Sequence, residues 1–146
     1  MTTESTALLA VCGAHLQGQP LHPMLLRLGA VLVEVTRTAP LYTMVLLAEG
    51  AVPRPGLIRC RTGGSALEVE VYRIAVAALG PLLVTVASPL AIGSVVLAGG
   101  EQVLGFVCEG FAGAESVDLT HFGSWRKYLA HAVVPGDALK GVAPLG

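Results

Sequence analysis

Apolar positions along this chain fall in short runs and alternations closed by glycine or proline, a spacing that predicts strands rather than long helices. Ala7 to Gly13 is an apolar run ending on glycine, which predicts a buried strand feeding the loop His15-Leu16-Gln17-Gly18-Gln19-Pro20. A short helix is predicted from Leu21 to Leu28, with Gly29 as its stop. From Ala30 to Thr38, Val31, Val33 and Val35 alternate with Leu32, Glu34 and Thr36, predicting a strand with one fully buried face. Further strands are predicted at Tyr42 to Leu47, at Leu57 to Arg61 with a half-exposed face, and at Ala66 to Tyr72. In the last of these Glu68 and Glu70 share one face, so that face meets either water or a polar cavity. A second helix is predicted from Ala75 to Val86, kinked or restarted at Pro81. Ser94 to Leu97 and Gln102 to Cys108 flank the hairpin turn Ala98-Gly99-Gly100-Glu101, and Thr120 to Ser124 opens a last helix from Trp125 to His131. The pattern predicts an α+β fold of one domain over residues 1–134 with a Gly- and Pro-rich tail over 135–146. Its expected form is a small mixed, mainly antiparallel β-barrel with two or three flanking helices, because closure hides the edges of apolar strands.

Composition narrows the function classes. The 146 residues suit a single core, and nine Lys plus Arg against ten Asp plus Glu, with no basic run, leave no electrostatic footprint for nucleic acid. Hydrophobic residues reach 53% and charged ones only 13%, which excludes disorder and leaves apolar surface for a subunit interface; a homodimer is expected. The mean hydropathy of +0.71 and the uncharged stretch from Ile74 to Gly100 suggest a membrane span. Gly80-Pro81, Ser88-Pro89, Gly93 and Gly99-Gly100 break that stretch, so no membrane association is expected. Leu9-Ala10-Val11-Cys12 resembles a lipoprotein cleavage box, but no basic residue precedes it and Val11 stands where a small residue is needed. A cytoplasmic protein is the expectation.

Cys12, Cys60 and Cys108 are odd in number and far apart, and His15, His22, His121 and His131 lack ligand spacing, so neither a disulfide framework nor a metal or other cofactor is expected. The most informative segment is Gly13-Ala14-His15-Leu16, where a glycine bend offers backbone N–H groups and one imidazole at a strand end. His15 reads either as a proton carrier or as a loop histidine bonded to a carbonyl. A second group, Thr36-Arg37-Thr38-Ala39-Pro40-Leu41-Tyr42, reads as a carboxylate clamp or a surface turn. Glu70 reads as an acid–base group or as part of a solvated face, and Trp125 as core or as the wall of a pocket.

With these residues in place the sequence resembles the C-terminal domain of allophanate hydrolase. The resemblance runs through Gly13-Ala14-His15-Leu16, Thr36-Arg37-Thr38-Ala39-Pro40 with Tyr42, Pro55-Gly56-Leu57, Glu68-Val69-Glu70-Val71, Pro89-Leu90-Ala91-Ile92-Gly93, Gly105-Phe106-Val107-Cys108-Glu109, and Thr120-His121-Phe122-Gly123-Ser124-Trp125-Arg126-Lys127-Tyr128-Leu129. It implies a γ-glutamylcyclotransferase-like fold whose glycine loop binds a compact acid. It also implies decarboxylation of N-carboxycarbamate, the product left when an amidase domain removes ammonia from allophanate. On that resemblance the family histidine falls on His15, the expected catalytic residue, and Arg37, Tyr42 and Trp125 match family positions; that they bind a small carboxylate substrate, with Gly13, Ala14, Leu16 and Glu70, is our own reading of these residues. Two departures stand out: no amidase signature is present, so the chain is expected to act as a stand-alone domain with a separate amidase partner, and Ile74 to Gly100 lacks the cyclotransferase carboxylate. The rival expectation is a non-enzymatic assembly or acid-binding module.

Overall fold

In the computed structural model, which describes residues 4–132, hydrogen bonding gathers seven strands into a five-stranded sheet and a separate two-stranded ribbon. β1 (Thr6–Val11) is the central strand, as its unbroken apolar sequence requires. It pairs antiparallel with β5 (Glu68–Ala75), in a register from Thr6 opposite Ala75 to Val11 opposite Glu70, and parallel with β7 (Gln102–Cys108). β2 (Val31–Arg37) lies outside β5, and β6 (Leu90–Val96) lies outside β7, giving the order β2-β5-β1-β7-β6. β3 (Tyr42–Leu47) and β4 (Arg54–Arg59) form the ribbon. Helix α1 (His22–Arg27) carries its proline in the first turn, where no backbone donor is lost, and ends before Gly29 at φ 81°. Helices α2 (Val76–Leu83) and α3 (Trp125–Ala132), with 3-10 turns at Gly110–Glu115 and Thr120–Phe122, complete the regular elements among the described residues. Leu9, Leu16, Leu25, Met44, Leu67 and Trp125, drawn from both sheets and the helices, are among the side chains of one buried cluster.

The mixed α+β class is as expected, but the sheet is not closed into a barrel. Its two edges meet at one end only, where Thr38 bridges to Leu97 and Ala39 N–H donates to the Val96 carbonyl at 2.9 Å. Pro40 follows with no N–H to extend that ladder, and the chain departs into β3. The face expected to be buried on β2 is not: Val31, Val33 and Val35 are 64%, 44% and 55% exposed, because no packed layer among the described residues covers that face. A register shift between Leu32 and Glu34 interrupts its alternation as well. Helix α2 is shorter than expected, β6 starts earlier at Leu90, and β4 starts at Arg54. The predicted tail over 135–146 lies outside the described residues.

Candidate active site

The loop after β1 is held from within. Leu16 N–H donates to the Gly13 carbonyl at 3.0 Å, Gln19 N–H to that of Leu16 at 2.9 Å, and Leu21 N–H to that of Ala14 at 2.8 Å. Leu16 is buried in the main core and fixes the bend by its side chain. Gly13 is required by a close approach: a Cβ there would sink into the ring of Pro55 on β4. These constraints turn His15 inward, where it is only 9% exposed and stacks on Phe106 of β7 with ring centroids 4.6 Å apart at 24°.

Nε2 of His15 is shut off from solvent and has no hydrogen-bond partner among the described residues. Burial lowers the His15 pKa to about 4, helped by the nearby His22 and Arg54 charges, so the imidazole is neutral at pH 7. The Nδ1–H of His22 donates to the His15 carbonyl at 3.0 Å and steadies the same turn. A cavity of about 20 Å³, room for a single water, opens beside the ring; Cys12, Gly13, Ala14, His15, Arg54 and Phe106 are among its walls. Burial pushes the Cys12 thiol up to about 12, so no thiolate nucleophile is available there at neutral pH. Arg54 also lines a wider groove of about 510 Å³ between the Leu46–Gly50 segment and Phe111, and it alone is common to both spaces.

Glu70 sits at the far end of the loop rather than in this cavity. It is 3% exposed and accepts from Gln17 N–H at 2.9 Å, Gln17 Nε2 at 3.2 Å, Tyr72 Oη at 2.8 Å and Arg126 Nη2 at 3.0 Å. Burial pushes its carboxyl up, but these donors outweigh burial and hold it below the usual carboxylate value. Of the two faces left open by the sequence, Glu70 therefore takes the polar interior one.

The expected cluster of His15 with Arg37 and Tyr42 is not formed. Arg37 is exposed and donates to the Ala66 carbonyl at 3.3 Å, while Tyr42 is fully buried and its hydroxyl accepts from Val96 N–H at 2.9 Å. Trp125 is packed in the core against Tyr128, its ring centroid 5.2 Å away. Gly13 and Ala14 line the cavity, whereas Leu16, Arg37, Tyr42, Glu70 and Trp125 do not. The cationic residue on the cavity wall is instead Arg54, which sequence reasoning passed over. Its only signal was a cation set between Pro53 and Pro55 at the head of an apolar run. Among the described residues no group of three or more His, Cys, Asp or Glu side chains is placed to hold a metal, and no helix is long and apolar enough to cross a membrane.

A family model, the allophanate hydrolase C-terminal domain, matches residues 7–130. The chain belongs to this family. It is 40% identical over 125 residues to the urea amidolyase of Saccharomyces cerevisiae, a match covering 83% of this chain and 7% of that protein. Kluyveromyces lactis allophanate hydrolase superposes with a TM-score of 0.82 at 39% identity, over 87% of this chain and 21% of that one. The chain therefore corresponds to a small part of these relatives. The E. coli protein c4763, described as specific to uropathogenic strains, superposes with a TM-score of 0.79 at 35% identity, and 98% of its length is covered. A mouse aig2-like protein, 21% identical with a TM-score of 0.51, is similar in fold alone, which agrees with the γ-glutamylcyclotransferase-like architecture expected of an allophanate hydrolase C-terminal domain.

Proposed function

We propose that this allophanate hydrolase C-terminal domain decarboxylates N-carboxycarbamate or a similar small carboxylated amide, with His15 as the proton carrier. The observation that carries the reading is the buried Nε2 of His15, unpartnered among the described residues, on the wall of a cavity that Arg54 also lines. A buried polar atom without a partner costs stability, so its persistence here marks a place completed by a ligand. In the reaction the C–N bond to the departing carboxyl breaks and its electron pair stays on nitrogen. Nitrogen takes one proton, and carbon dioxide and carbamate result. His15 is neutral in the empty site, and a bound dianion favours its charged form, so substrate arrival itself supplies the acid. Exclusion of water around Phe106 and Leu90 disfavours the carboxylate relative to uncharged carbon dioxide.

The test couples the chain to an amidase domain acting on allophanate. The wild type is expected to raise carbon dioxide release above the spontaneous rate, and His15→Asn to lose about 10²-fold or more of that gain while staying folded. Equal release with wild type, His15→Asn and no protein leaves the alternative, a non-enzymatic acid-binding or assembly module that works with a separate amidase. A homodimer and a cytoplasmic setting belong to the same proposal.

A further inference from the structure

We propose that Arg54 is the anchor for one carboxylate of a small dianion whose other carboxylate rests against Nε2 of His15. The assignment rests on the reading of the His15 cavity as the acid-binding site and adds the group that selects a doubly charged ligand.

Three observations carry it. Arg54 alone lines both the His15 cavity and the wide groove outside it, so a ligand passing from one to the other meets its guanidinium. Among the described residues Arg54 has no acidic partner: its hydrogen bonds are from Nη1 to the carbonyls of Val52 at 3.3 Å and Glu49 at 3.5 Å, both long. A half-buried guanidinium so loosely tied keeps most of its donors for an incoming acid, which it binds in a two-pronged fork. Finally, the cavity of about 20 Å³ is too small for a whole dicarboxylate, so one carboxylate rests beside His15 and the other reaches toward the groove. The guanidinium stands on the groove side of that space, its Nη1 donating to the Glu49 and Val52 carbonyls and close to Gly50, so a ligand reaching out from His15 meets it there. Selection follows from charge: one carboxylate faces His15, which gains a proton as it binds, and the second needs Arg54. A monoanion of equal size leaves one of the two unmatched.

The experiment measures calorimetric binding of malonate, a dianion, and malonamate, its monoanionic amide, to the full chain. Wild type is expected to prefer malonate at least tenfold, with the preference shrinking as salt is raised. Arg54→Gln is expected to abolish the preference, and Arg54→Lys, which keeps the charge without the fork, to restore part of it. Unfolding midpoints check that the variants are folded, and if Arg54→Gln is not, Arg54→Lys decides by a weakened but surviving preference. Malonate held as tightly by Arg54→Gln as by wild type, or no malonate preference in wild type, overturns the anchor. Carbon dioxide release by the same proteins is read separately. A lost preference together with no rate acceleration by wild type keeps the anchor and removes decarboxylation. Acceleration with an unchanged preference does the reverse.

Discussion

At the scale of single residues, His15 combines a buried ring, a polar atom without a partner among the described residues and a lowered pKa. The pH dependence follows directly. In the unfolded chain a histidine titrates near 6.5, whereas His15 in the fold titrates near 4. Its contribution is fully present above pH 6.5 and is lost as pH falls toward 4, because the unfolded state binds the proton first. That linkage costs about 3 kcal/mol at pH 4. His15→Asn removes the titration, so its stability, followed by urea unfolding, is expected to fall less than that of wild type between pH 6.5 and 4. Parallel curves would show that His15 does not titrate as a buried base. The type of residue was legible from the sequence, since an imidazole after a glycine bend stands out; its partners were not. Arg37 and Tyr42 are close in the chain, a local signal, while Arg54 and Phe106 join His15 at one cavity only through the tertiary fold.

At the scale of elements, the loop after β1 is locked at both ends by different physics. Gly13 lets β4 come close, and Gly13→Ala drives a methyl into Pro55, a change expected to cost about 1–3 kcal/mol in chemical unfolding. Stability within a few tenths of wild type would mean that β4 yields freely. At the other end Glu70 gathers Gln17 from the loop, Tyr72 from β5 and Arg126 from α3. Glu70→Gln replaces an acceptor with a donor that faces donors, and a loss of about 1.5–3 kcal/mol is expected at neutral pH. Because the folded carboxyl titrates below its ordinary value, this contribution is present at neutral pH and fades as pH falls through the carboxylate range, so wild type and Glu70→Gln converge in acid. A constant gap across pH would place Glu70 outside any charge-dependent clamp. Strand positions and turns were readable because alternation and glycine are local signals, as at β3, β7 and the Gly99-Gly100 hairpin. The burial of β2 was not, since whether another strand or layer covers an apolar strand is decided by topology.

For the whole molecule, the excess of apolar residues found in the composition has a visible place. Val31, Leu32, Val33 and Val35 on edge strand β2 lie exposed beside a backbone edge that, among the described residues, has no neighbouring strand over most of its length. Such an edge invites association, and a homodimer that Val33→Lys weakens is expected in light scattering. A wild-type monomer at high micromolar concentration would oppose it. The class of fold was readable from the same sequence, whereas barrel closure was not, because the meeting of β2 and β6 stops at a single bridge near Pro40. The central claim, that the space between His15 and Arg54 receives a small dicarboxylate, is tested most directly by a crystal structure of the chain with malonate. One carboxylate is predicted within about 3 Å of His15 Nε2 and the other paired with the Arg54 guanidinium. Malonate bound elsewhere, or a His15 cavity left unchanged at saturating ligand, would contradict the account.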